Sequence, residues 1–241
     1  VSTALRLHAL EGLPEIQAGD DLPELLASRV PQGAGVLVVA QKIVSKAEGR
    51  VIPLAEVRPS RRAQEVARQV EKDPRHVEVI LGETARILRA VPGVLICETH
   101  HGLICANAGV DFSNAPTSDA AVLLPVDPDT SAERIRERLG GGRAVIISDT
   151  FGRPWRQGLV DVAIGVAGLA PLRDHRGTAD RRGHQLQVTV MALADQLAAA
   201  AGILMEKASG HPAIWIDGIQ PTGVGSLGDL LRDPEHDLFR D

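Results

Sequence analysis

Asp111, Asp149 and Glu206 stand far apart in the chain, each acid set among small, capping or hydroxyl-bearing residues. Gly109, Ser113 and Asn114 flank the first, while Ser148 and Thr150 bracket the second, ahead of the run FGRPWR at 151–156. Carboxylates that meet repel one another unless a cation lies between them, and hard divalent ions take oxygen ligands of this kind. Magnesium or manganese suits such neighbours better than zinc, because no thiols or clustered imidazoles accompany them. Lys46, Arg153 and Arg156 add positive charge, so the natural cargo of the set is a polyphosphate and the chemistry metal-assisted phosphoryl transfer. The same Asp, Asn and Ser residues beside Gly and Pro are also ordinary turn formers, needing no ligand.

Elements must bring these groups together. The alternating run at 5–10 reads as a strand, and 20–28 as a helix with acids in its first turn. GVLVVA at 35–40 is a buried-strand signal delivering a helical stretch at 41–50, in which Lys42, Lys46 and Arg50 fall at four-residue spacing. A short strand is expected at 51–57 and a surface helix at 59–71. Residues 76–81 alternate as a strand does, and 83–89 read as one or two helical turns. Residues 94–99 and 103–107 form a strand pair reversing through His100-His101-Gly102. Beyond it a strand at 119–125 and a helix at 129–139 precede the strand at 144–147, which places Asp149 just past a strand's carboxyl end, where open α/β sheets hold ligands. Low-bulk residues 160–168 form a buried segment, 172–177 a polar loop, and 186–207 the longest helical pattern, with Glu206 at its carboxyl end. A core strand at 213–217 comes last, and 223–241 reads as a carboxyl-terminal extension that frays.

Composition narrows the function classes. At 241 residues the chain can bury a full core. With 26 basic against 31 acidic residues and aromatics at 2%, none of them tyrosine, neither the charge nor the stacking surface suits nucleic acid. No run of 18 apolar residues marks a membrane span, and no charged start with an apolar core marks a signal peptide, so the cytoplasm is the expected location. Cys97 and Cys105 lie outside any CxxC or metal-ligand spacing and read as two buried thiols. The nucleotide loops GxxxxGK[ST] and GxGxxG and the hydrolase elbow GxSxG are all missing, so a phosphate site must be built another way.

Several blocks together resemble one family. GLPEI at 12–16, VSKAEGR at 44–50, Glu98-Thr99, ANAGVD at 106–111 with Ser113-Asn114, SDTFGRPWR at 148–156 and LMEK at 204–207 resemble, in order, those of coenzyme F420-0:L-glutamate ligases. The likeness spans residues 5–220 and is to the stand-alone form, without the nitroreductase-like domain fused to some bacterial relatives. It implies an α+β fold of unusual two-lobed type, with residues 1–222 as the ligase domain, in an interlocked homodimer. It implies a GTP-dependent amide ligase that adds L-glutamate to coenzyme F420-0, uses magnesium or manganese and has potassium as a candidate further ion. By the same likeness Leu13, Pro14, Glu15, Ile16, Gln41, Lys42, Lys46 and Asn114 border GTP, as do Leu204, Met205, Glu206, Lys207, Ala208, Ser209, Gly210 and His211. Asp111, Asp149, Thr150 and Glu206 surround the divalent ions, with Arg153 and Arg156 steering an acidic substrate or phosphate. Gln41-Lys42 departs from the small hydroxyl residues found there in some relatives. Two other classes keep the same residues: a different metal-dependent phosphotransferase, and a non-enzymatic nucleotide-binding oligomeric module.

Overall fold

The computed structural model describes residues 4–112, 119–206 and 210–237. The chain opens with strand β1 (Arg6–Ala9), helix α1 (Leu22–Ala27), strand β2 (Gly35–Ala40) and helix α2 (Gln41–Ala47). Strand β3 (Val51–Pro53) leads to helices α3 (Arg61–Val70) and α4 (Pro74–Gly82), then strands β4 (Thr84–Val91), β5 (Val94–Thr99) and β6 (Ile104–Ala106). After β7 (Ala120–Val122) and α5 (Pro128–Leu139) come the long strands β8 (Arg143–Arg153) and β9 (Arg156–Ala167). Short strands β10 (Leu172–Asp174) and β11 (Val190–Ala192), helix α6 (Leu193–Gly202) and strand β12 (Ala213–Asp217) complete the regular structure. This is a mixed architecture with several separate sheets, as the α+β expectation requires. No helix among the described residues is long and apolar enough to cross a membrane.

The main sheet has the order β1-β12-β2-β8-β9, in which only β2 and β8 run parallel. Both its faces are covered, which is why β2 is a continuous apolar run and not an alternating one. Leu37, Val39, Val145, Ile147 and Trp215 face one core, shared with α1, α2 and α5. Val36, Val38, Ala144, Ile146, Ile214 and Ile216 face the other, closed by the alanine-rich face of α6. A third hydrophobic cluster joins α3 and α4 to β5 and β7, with Val70, Ile80, Leu95, Cys97 and Ala121 fully buried or nearly so.

Four sequence expectations change in the structure. Residues 76–81 are helical, because Asp73 caps the Arg75 amide, Pro74 takes the first turn, and Val77 and Ile80 fall on one buried face. Glu83 caps α4 and residues 84–89 are strand, because Pro92 and Gly93 (φ 77°) reverse the chain so that β4 pairs with β5. The helix expected over 186–207 begins only at Leu193 and ends at Gly202; Val190 pairs with Asp174 between strands, and Glu206 lies past the helix. Residues 172–174 of the expected polar loop are β10. Both cysteines are buried and free, directly opposite each other across β5 and β6.

The carboxyl-terminal stretch is tied down as far as Leu227, which sits in the main core. Asp129 at the start of α5 accepts hydrogen bonds from the Val166 amide (2.7 Å) and the Leu227 amide (3.0 Å). Asp129→Ala strands two amides and is expected to cost about 1–3 kcal/mol. Chemical denaturation reads that loss, and limited proteolysis is expected to cut first beyond residue 222; an unchanged midpoint and cleavage pattern would count against the tie. Leu238 and Phe239 of the expected extension lie outside the described residues.

Candidate active site

The parallel pairing of β2 with β8 ends at Ala40 opposite Ser148. Beyond that point β2 becomes α2, whereas β8 continues to Arg153 in antiparallel pairing with β9. Asp149 is therefore inside a strand, one residue past the end of the parallel pair. A cleft of about 1060 Å³ opens there. Its walls come from separate chain segments: Leu13, Pro14, Glu15 and Ile16 before α1; Gln41, Lys42 and Lys46 of α2; Ser148, Asp149, Thr150 and Asp161 of the β8–β9 hairpin; and Met205, Glu206, Gly210 and His211 after α6. A smaller chamber of about 240 Å³ adjoins it, and the two share Lys42, Asp149 and Thr150. Asp111 lines only the smaller one.

Local sequence explains how each group is aimed. Asn107, Ala108 and Gly109 all have φ between 53° and 72°, a left-handed run that turns the chain sharply before Asp111 pairs with Val122. Asn and Gly tolerate this conformation, but for the buried Ala108 it costs roughly 1–2 kcal/mol, strain kept where it re-aims a side chain. Lys42 forms an ion pair with Asp111, and Lys46 one with Glu15 at 2.6 Å across the cleft. Gln41 is only 1% exposed; its Oε1 accepts from Ser45 Oγ at 2.9 Å, which leaves Nε2 buried without a protein partner. Thr150 Oγ1 donates to Asp161 Oδ1 at 2.5 Å.

Electrostatics single out Asp149. Burial pushes its carboxyl up to about 6, and the nearby charges of Asp111 and Asp161 add to the rise against the Thr150 amide and Lys42, which oppose it. Asp149 is thus a partly buried acid with two acidic neighbours in the cavity walls. Cys105, in the wall of the smaller chamber, is pushed up to about 12 by burial and then by the charge of Asp149, which makes it an inert thiol.

Not every expected residue converges. Asp149 and Glu206 share the large cleft and Asp149 and Asp111 the small chamber, but among the described residues no three His, Cys, Asp or Glu side chains close on one point as a ready metal cage. The Lys42–Asp111 pair fills part of that space, and Glu206 is exposed at the cleft rim. The oxygen donors that are present still fit a hard divalent ion whose coordination is completed by phosphate oxygens and water. Arg153 and Arg156 face each other at the end of the β8–β9 hairpin and line neither cavity; Arg153 Nη2 donates instead to the Gln157 carbonyl. Leu204 packs against the α6 core and is not a cleft wall. Arg50, beyond the end of α2, binds the Leu124 carbonyl and Glu83, so it is structural. Asn114, Lys207, Ala208 and Ser209 lie outside the described residues.

Asp161 is the site residue that sequence reasoning missed. Its position follows from one register, Thr150 opposite Asp161, and directly opposed strand residues point to the same face. Recognising 148–167 as one hairpin about Pro154-Trp155 would have revealed it.

The chain is 45% identical to the coenzyme F420:L-glutamate ligase of Methanothermobacter thermautotrophicus, covering 98% of this chain and 99% of that protein. It is 44% identical to the enzyme of that name from Methanopyrus kandleri, over 98% of each chain, and 42% identical to that of Archaeoglobus fulgidus, over 98% and 96%. The family model described as F420-0:Gamma-glutamyl ligase matches residues 12–218, a span containing every cleft wall named above. The chain therefore belongs to the F420-0:gamma-glutamyl ligase family.

Proposed function

We propose that the protein is a GTP-dependent ligase that joins L-glutamate to coenzyme F420-0 through an amide bond, with release of GDP and phosphate. One observation carries the reading. Chain segments separated by up to about 200 positions, all inside the span matched by the family model, meet in a single cleft whose size suits a nucleoside triphosphate. Lys46 and Lys42 supply positive charge for a triphosphate, and Gln41 Nε2 is a buried donor in search of an acceptor.

Two displacements complete the chemistry. The terminal carboxylate of F420-0 attacks the γ-phosphorus of GTP; the bond to the β–γ bridging oxygen breaks, GDP leaves, and an acyl phosphate forms. The glutamate amine then attacks the acyl carbon, the C–O bond to phosphate breaks, and the departing phosphate takes up the proton that the nitrogen loses as the amide forms. Asp149 and Thr150, with Asp111 and Glu206 as further oxygen donors, would hold magnesium or manganese, which when bound would neutralise charge on the phosphoryl group. Asp149 would fix that charge where negative charge develops, and Lys42 holds Asp111 in place. The homodimer, potassium as an extra ion and the addition of further γ-linked glutamates belong to the same reading.

Mass spectrometry of one reaction tests it: the protein with GTP, F420-0, L-glutamate and magnesium or manganese. The expected product is heavier than F420-0 by one glutamyl residue, formed with equimolar phosphate and dependent on all three substrates. GTP consumed with phosphate placed on F420-0 and no amide would mean a phosphotransferase. Nucleotide binding without turnover would mean a binding module.

A further inference from the structure

We propose that Asp161 is a positioning residue that sets the Thr150 hydroxyl for a divalent ion, and that α6 ends in glycine to leave room for it. The inference rests on the reading of Thr150 as an ion ligand given above. A hydroxyl has one proton to donate and lone pairs to offer, and a cation takes only the lone pairs. Thr150 Oγ1 donates its proton to Asp161 Oδ1 at 2.5 Å, so the oxygen can present lone pairs to the cleft that both residues line. Partners that fix a ligand in this way are worth about 10- to 100-fold in ion affinity.

The other oxygen of Asp161 is packed against α6. A Cβ at Gly202 would lie 2.0 Å from Asp161 Oδ2, and the three atoms nearest to that Cβ all belong to Asp161. One oxygen is thus committed to Thr150 and the other to the helix backbone, which suits a positioning residue better than a direct ligand. A second tie keeps this spacing: Asp195 of α6 accepts a hydrogen bond from the Ala163 amide of β9 at 2.9 Å. Residues 195 and 202 are two helical turns apart on one face of α6, and residues 161 and 163 share one face of β9. The end of the helix is therefore held against Asp161.

Gly202 lines neither cavity, so it tests the idea from outside the site. Alanine is the better helix former and Gly202 needs no left-handed backbone, so Gly202→Ala is expected to melt at the original temperature or above it while pushing the Asp161 carboxylate off Thr150. Equilibrium dialysis of manganese against the full chain, alone and with a non-hydrolysable GTP analogue, reads the consequence without turnover. Gly202→Ala and Asp161→Ala are each expected to weaken manganese binding about tenfold or more. In a Thr150→Val background, where the hydroxyl is gone, Asp161→Ala is expected to change it less than about threefold, because Asp161 acts through Thr150. Equal losses from Asp161→Ala with and without that hydroxyl overturn the proposal, since Asp161 would then hold the ion itself. Original affinity in Asp161→Ala or in a folded Gly202→Ala protein overturns it too, as does an unaltered protein that retains no manganese under either condition. Should Gly202→Ala not fold, the Asp161 and Thr150 variants decide alone. Failure of the ligase reading shows separately, as absence of amide product from the unaltered protein, and leaves the dialysis result standing.

Discussion

Asp149→Asn is expected to lower metal-dependent GTP turnover by roughly 10³-fold while leaving the protein as stable as before, or more stable. The two effects have opposite signs for one reason. Burial, with Asp111 and Asp161 nearby, raises the folded-state pKa of Asp149 to about 6, above its unfolded value of 3.8. A group with a raised folded pKa contributes stability in its protonated form, below the unfolded value, and loses that contribution as pH rises through the folded one. Without divalent ions the unaltered protein is therefore expected to lose thermal stability between about pH 4 and 6, relative to Asp149→Asn, and the gap to stay constant above that. Adding magnesium or manganese with GTP should close the gap for the unaltered protein and not for the variant. Below pH 6 protons compete for the carboxylate, so the apparent affinity for the ion is expected to fall about tenfold per pH unit. Thermal melts across pH, paired with phosphate release, check both halves. Turnover near the original level in a folded Asp149→Asn protein would remove Asp149 from the chemistry.

Trp215→Ala is the substitution expected to damage the fold most. Trp215 lies at 1% exposure in β12, near the middle of the five-stranded sheet, and Arg143 sits over its ring at 6.0 Å. The ring also fills the space where residue 35 would carry a Cβ, only 2.5 Å from Trp215 Cζ2, so β2 must open with glycine. Truncation leaves a large cavity beside Leu37 and Val39 and is expected to cost about 3–5 kcal/mol, much of the total stability of an ordinary domain. A melting temperature lower by about 10 °C, or recovery only in insoluble form, is the expected outcome. A shift of only a degree or two would mean that the core collapses around the gap.

The contrast between β2 and α4 shows what could be read in advance. GVLVVA at 35–40 is apolar at every position because both faces of its sheet are covered, and its shortness, three β-branched valines and the glycines at 33 and 35 favour a strand over a buried helical segment. At 76–81 the alternation of apolar residues imitated a strand, while the Asp73-Pro74 cap just upstream, the stronger signal, set a helix. Likewise the turn at Pro92-Gly93 outweighed the helix-favouring residues at 83–89. Local chemistry held the answer in both cases. For α6 it did not, because its limits depend on β11 pairing with β10 and on Gly202, where a Cβ would collide with Asp161 Oδ2.

Residue types and their order, by themselves, determined the family, the oxygen-rich character of the site and the candidacy of Asp111, Asp149, Lys46 and Glu206, since these are properties of single side chains and short blocks. Only the tertiary structure decided that Asp149 sits inside a long strand between two cavities, that Asp161 joins it across the hairpin, that Lys42 is bound to Asp111, and that Arg153 and Arg156 line neither cavity. Those are facts of strand register and burial. Register is fixed by pairing between residues far apart in the chain, and the charge state of a carboxyl by what water is excluded around it, so neither is written in any local stretch.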